Sequence, residues 1–177
     1  MTIEELVLFI EKSMQHKTVY HFTDEANFPS IRSHGILSKE LLRARGLWPP
    51  PATGGNELSW QLDRNRGIDH YVSLCLTRNH KMKYVATQAG RLPNPRYLAI
   101  RPEVLQIPDV KMAFGIANAN DVEILPLSQA IDKLDIEVLY TRTDWRDPAI
   151  NTRLQLAEKC EILIPNLVPV QMITGYF

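Results

Sequence analysis

The chain has 177 residues, with 20 Lys and Arg against 20 Asp and Glu, 45% hydrophobic and 23% charged residues. That length and balance fit one globular domain over residues 1–177 with a sizeable core, and exclude a disordered or strongly polyionic chain. No apolar run reaches the roughly 18 residues of a membrane span, and residues 1–10 lack the basic start and apolar run of a secretory signal, so a cytoplasmic protein without membrane contact is expected.

In chain order, "IEELVLFIEKSMQ" (3–15) sets Ile3, Leu6, Val7, Ile10 and Met14 at helical spacing behind early acids, which predicts an amphipathic helix. "TVYHFT" (18–23) is rich in β-formers and predicts a short strand. Asp24 can cap the helix that follows, "EANFPSIRSH", and Gly35 can end it. The prolines and paired glycines of "LWPPPATGGNELSW" (47–60) predict an irregular exposed loop of a length that is often functional. "HYVSLCLT", "RYLAIRP" and "VEILPL" read as strands, "LSQAIDKLD" and "AINTRLQLAEKC" as helices, and "EILIP" and "VPVQMITGYF" as closing strands. No repeat or linker divides this order, so the elements predict one α+β domain.

The neutral sum hides an uneven distribution. Residues 39–101 hold 11 Lys and Arg against 4 Asp and Glu, whereas residues 1–38 hold 3 against 5 and residues 102–177 hold 6 against 11. Gathered on one surface, the basic middle would attract a nucleic acid or a dinucleotide; scattered, it is a solvated face. Cys75 and Cys160 stand far apart in apolar segments and form neither a CxxC metal pattern nor a disulfide framework, so both read as core filler and no metal is expected.

Three places carry chemistry. Side chains two apart on a strand share a face, so His21 and Thr23 project together and Phe22 to the other side. An imidazole and a hydroxyl so placed can hold a ribose diol, while the Phe22 backbone N–H and C=O can hold a planar carboxamide. A structural His beside a Thr fits the same pair. In "AEKCEILIP", Glu161 opens an apolar strand, where a carboxylate is poorly solvated unless it faces a polar pocket; Glu158, on the preceding helix, is the competing acid. Finally, "QLDRNRGIDHYVSLCLTRNHKMKY" (61–84) interleaves Arg64, Arg66, Arg78, Lys81 and Lys83 with His70, Tyr71, His80 and Tyr84, which suits a phosphate backbone with bases stacked beside it, or equally a basic surface hairpin.

The order of these pieces resembles the DarT family, toxins that transfer ADP-ribose from NAD to thymine in single-stranded DNA. The resemblance runs from about Tyr20 to Ile173. The family's His-x-Thr, Asn and Gly fall on His21, Thr23, Asn27 and Gly35, its "RNR" arginine on Arg64, its segment "HDYVPFYFxPRSPMLY" on "DHYVSLCLTRNHKMKY", and the glutamate of "AEFLV" on Glu161. The chain departs from it at "TRNHKM", at Leu74 and Leu76, and along "FGIANANDVEIL".

The resemblance implies an ADP-ribosyltransferase fold, a split antiparallel β-sandwich with flanking helices around an NAD cleft. It implies NAD as co-substrate, held by His21, Phe22, Thr23, Asn27, Ser30 and Arg64, with Glu161 and Arg64 catalytic. Single-stranded DNA would meet Arg78, His80, Lys81 and Lys83, and a macrodomain antitoxin would be the partner. Transfer to RNA or protein, NAD hydrolysis, and a non-catalytic nucleic-acid module are the rival readings.

Overall fold

The computed structural model describes residues 1–177. Helix α1 (Ile3–Lys12) starts where Thr2 forms a capping box with Glu5, and it buries Leu6, Val7 and Ile10. It is shorter than its sequence pattern. Ser13 leaves helical geometry and donates its hydroxyl to the Tyr140 carbonyl (2.8 Å), so Met14, expected on the buried stripe, is 92% exposed.

Strand β1 (Val19–Asp24) follows, and Asp24 accepts from the N–H groups of Ala26 (3.0 Å) and Asn94 (2.6 Å). A 3₁₀ turn (Glu25–Asn27) leads into α2 (Phe28–His34), which ends at Gly35 with φ of 79°. A side chain there would be strained and would run into the Val168 carbonyl. Strand β2 (Ile36–Leu37) and α3 (Lys39–Ala44) come next. The irregular stretch expected over 47–60 ends earlier. Asn56 and Ser59 cap each other's backbone, and this starts α4 (Glu57–Asn65) inside it.

After β3 (Tyr71–Cys75), the basic segment read as a possible hairpin forms α5 (Lys81–Gln88), capped by His80, and the chain returns as β4 (Pro95–Ile100). Strands β5 (Lys111–Ala113) and β6 (Ile124–Pro126) precede α6 (Leu127–Ala130), α7 (Ile136–Tyr140) and α8 (Pro148–Ala157). Strands β7 (Glu161–Pro165), β8 (Leu167–Val168) and β9 (Ile173–Tyr176) close the chain.

Seven strands form one antiparallel sheet in the order β6-β5-β7-β3-β1-β4-β9, and β2 pairs with β8 separately. The fold is α+β with an antiparallel sheet, as the resemblance implied, and the sheet does not close into a barrel. One face of the sheet presents Leu74, Leu98, Ile100 and Ile162, none more than 1% exposed, to α1 and to α6–α7. Each such side chain stabilises the fold by about 1.5–3 kcal/mol relative to exposure.

The sheet splits at its centre. β1 is zipped to β4 from Val19↔Ile100 to Asp24↔Pro95, and β3 to β7 from Tyr71↔Pro165 to Cys75↔Glu161. Between β1 and β3 only Tyr20↔Cys75 pairs. Beyond that point the two strands diverge, which leaves a wedge with an unpaired backbone edge on each side.

Candidate active site

His21 stands at the apex of the wedge. Its Nδ1 lies 2.9 Å from the Ser73 carbonyl, and a carbonyl only accepts, so Nδ1 carries the proton and Nε2 keeps a free lone pair. Burial pulls the imidazole pKa down to about 4, with Lys39 acting in the same direction, so the ring is neutral at physiological pH. Nε2 is thus a fixed acceptor for a hydroxyl.

Phe22 supplies the open edge. Tyr97, opposite it on β4, exchanges both backbone bonds with Phe177, so this pair does not bond and the Phe22 N–H and C=O face the side from which β3 has departed. Cys75 lies beside this edge, in the one pair that joins β1 to β3. Thr23 is buried and accepts from Asn27 Nδ2 at 3.0 Å, which leaves its own O–H free to donate.

Asn27 itself is fully engaged. Its Nδ2 also donates to the Ala52 carbonyl (2.8 Å), and its Oδ1 accepts from the Ala52 N–H (3.1 Å). Its role is to pin the proline- and glycine-rich loop over the wedge. Ser30 lines the same cleft from α2, and Trp48 and Trp60 meet edge to face at 4.9 Å in its outer wall.

Glu161 closes the inner end at 8% exposure. Its Oε2 accepts from the Ala117 N–H at 3.1 Å. Burial pushes the carboxyl up to about 7; the Ala117 N–H opposes this, Asp63 adds to it, and Lys39 and Ser73 oppose it. A carboxylate poised there can act as a base near neutral pH. Glu158, the rival acid, is held outside the cleft by Thr77 (3.1 Å) and Asn79 (2.7 Å).

Two expected placements differ in the structure. Trp60 and Asp63, one turn apart on α4, face the cleft; Arg64 lies a further 100° round the helix and is exposed to solvent. The cation lining the cleft is Lys39, paired with Asp63 at 2.6 Å. His80, expected at a nucleic-acid surface, is 2% exposed because it caps α5 and stacks on Phe22 at 5.7 Å, so it lies behind the lining of the cleft, against Phe22 and Glu161. Arg78 is exposed over the Tyr20 and Phe177 rings, Lys81 is exposed, and Lys83 packs over Tyr97. Met82, between the two lysines, places the start of α5 at the cleft rim.

Sequence reasoning missed Lys39, Asp63 and Ser73, and it marked the loop that carries Ala117 only as a departure from the family. Arg66 fixes that loop, donating to the carbonyls of Ala119 and Val122. The second arginine of "RNR" is therefore a tether between α4 and the loop that touches Glu161. Cys160 is core filler as expected, whereas Cys75 also lines the cleft, and its buried thiol is held well above the ordinary range.

The unpaired backbone edge, the Nε2 acceptor and the Thr23 hydroxyl offer the hydrogen-bond partners that a planar carboxamide and a sugar hydroxyl need. If NAD is the ligand, as the resemblance implies, the expected result of His21→Ala is an affinity lower by about 1–3 kcal/mol, because a ribose hydroxyl set on Nε2 loses its partner. Calorimetric titration checks it, and an unchanged affinity removes His21 from the site.

A family model described as "DarT: ssDNA thymidine ADP-ribosyltransferase, DarT" matches residues 20–177. A search of curated proteins finds no match. Among solved structures, Thermosipho africanus DarTG in complex with ADP-ribose is similar at 19% identity with a TM-score of 0.68, over 90% of this chain and 43% of that one. The present chain thus spans less than half of the Thermosipho chain. Thermus sp. 2.9 DarT in complex with ADP-ribosylated ssDNA is similar at 15% identity and TM-score 0.63, over 89% of this chain and 79% of that one. The same Thermus protein in complex with NAD+ gives 15% identity and a TM-score of 0.61. At these identities the structures establish a shared fold.

Proposed function

The chain belongs to the DarT family, and from that premise we propose that it transfers ADP-ribose from NAD to a thymine base of single-stranded DNA. The observation that carries this reading is the convergence, at the split in the sheet, of a free acceptor on His21, an open Phe22 backbone edge and the buried Glu161 carboxylate. The first two hold the ribose and the carboxamide of the nicotinamide riboside.

Cleavage of the nicotinamide–ribose bond develops positive charge on the ribose, as in glycoside hydrolysis. Glu161 stabilises that charge and takes the proton from the attacking base nitrogen, while Ala117 N–H holds its other oxygen. Lys39 supplies positive charge on the same wall for the pyrophosphate. Arg64 reaches it only by swinging from the solvent side of α4. The DNA strand enters past the start of α5, where Lys81, Lys83 and Arg78 offer phosphate contacts.

No helix is long and apolar enough to cross a membrane. The proposed setting is the cytoplasm, with a macrodomain antitoxin as partner, a reading supported by the likeness to a chain named DarTG. Incubation with labelled NAD and, separately, single-stranded DNA, duplex DNA, RNA and protein tests the reaction. Label is expected on single-stranded DNA. Label on RNA or protein instead overturns the acceptor, and label on none of them overturns the transferase reading.

A further inference from the structure

One buried group at the site has no role in the reaction described above. His80 is 2% exposed, its ring stacks on Phe22, and its backbone N–H donates to the Tyr97 hydroxyl at 3.0 Å. Its Nδ1 accepts from the Met82 N–H at 3.3 Å, capping α5, so in the neutral ring the proton resides on Nε2. That Nε2–H has no hydrogen-bond partner. It stands 3.5 Å from Glu161 Oε1, with the Lys159 carbonyl as the other acceptor near it. A buried donor left open is unusual, and here it faces the one carboxylate oxygen that Ala117 does not hold. His80 also falls in "TRNHKM", where the chain departs from the family segment.

We propose that His80 is a positioning residue for Glu161: its Nε2–H closes onto Oε1 as the carboxyl ionises, and so fixes the carboxylate between two donors, Ala117 N–H and His80 Nε2–H. The proposal rests on the transferase reading and on Glu161 as its base. A neutral donor favours the ionised carboxylate and restricts its rotation, and the stack on Phe22 ties the donor to the strand that grips the cofactor. The other groups facing Glu161 are Lys39 from α3, Asp63 from α4, Ser73 and Cys75 from β3, and the adjacent Cys160. None of them changes in the variants below. Burial holds the His80 pKa near 4, so the ring stays a neutral donor throughout the working range.

Two substitutions separate positioning from capping. His80→Asn keeps an acceptor for the Met82 N–H, as a good cap does, but is too short to reach Glu161. His80→Gln can place an amide N–H near the former Nε2 but gives up the cap. The rate of transfer against pH, the melting temperature, and the pH titration of the labelled Glu161 carboxyl by ¹³C NMR in the ligand-free protein are measured for both.

In His80→Asn the acidic limb of the rate profile is expected to move up by about one pH unit, a roughly tenfold loss below the limb that fades at high pH. Its melting temperature falls, because the buried ring stacked on Phe22 is lost, but the cap is kept. His80→Gln is expected to melt lower yet keep the limb of the wild type. A limb unmoved in His80→Asn, or moved equally in both variants, overturns the proposal and leaves His80 as a cap and packing group. If wild type transfers nothing, the functional reading fails instead, and the carboxyl titration still decides whether His80 and Glu161 are coupled.

Discussion

Glu161→Gln lowers the transfer rate by about 10²–10⁴-fold, the range for loss of a general base, with lost charge stabilisation adding to it. The amide has the same shape and can still accept from the Ala117 N–H, but it neither carries negative charge nor takes a proton. NAD affinity changes little, because the carboxylate matters most once charge develops on the ribose. Glu158→Gln is the control. That acid caps the end of α8 and is tied to Thr77 and Asn79 outside the cleft, so its variant retains near wild-type transfer. Inactive Glu158→Gln beside active Glu161→Gln would falsify the assignment.

The same carboxyl sets the pH dependence. With its pKa at about 7, wild-type activity rises with pH through that value, since the ionised form is the base. Stability runs the other way. A carboxyl held near 7 in the fold against an ordinary 4.5 binds its proton more tightly folded than unfolded, so stability falls as pH rises across that window. Glu161→Gln escapes this, and its melting temperature exceeds wild type above pH 7 by an amount equivalent to about 1–3 kcal/mol, with no such gain below pH 4.5. Thermal melts at both ends of the range read it directly.

Strand alternation set His21 and Thr23 on one face, and an acid ahead of an apolar run marked Glu161 as a candidate; both are local signals, and the resemblance singled these residues out. Their meeting was not legible, because it depends on β1 and β3 separating after a single pair, and no residue in either strand announces that. Strand β5 was missed as well: Lys111–Ala113 is three residues long, and its partners on β6 and β7, not its own propensity, hold it extended. Arg64 and His80 stand elsewhere than expected, for different reasons. The resemblance set Arg64 in the cleft, but helical periodicity turns Asp63 inward and leaves Arg64 out; the basic and aromatic composition of 61–84 set His80 at the surface, but capping draws it into the interior. Lys39 carried no signal, since a lysine at the start of a short helix reads as solvated until its neighbour Asp63 is known.

Asn27 makes the same point with a measurable consequence. The resemblance implied a cofactor contact, but its amide already satisfies Thr23 Oγ1 and both backbone groups of Ala52. Its effect on NAD is therefore expected to be indirect. Asn27→Ala leaves the Ala52 N–H and C=O without their partner and frees the Thr23 hydroxyl to turn, so the loop bearing Trp48 and Gly54 is no longer held against Phe22. Loss of three bonds at a site 7% exposed costs about 2–4 kcal/mol, divided between the fold and the bound state. The expected result is a lower melting temperature together with a fall in NAD affinity at least as large as that of His21→Ala. Hydrogen exchange discriminates the two variants: Asn27→Ala raises exchange at Ala52 and along the loop in the ligand-free protein, whereas His21→Ala does not. Unchanged loop protection in Asn27→Ala, with NAD affinity lost all the same, returns Asn27 to direct contact with the cofactor.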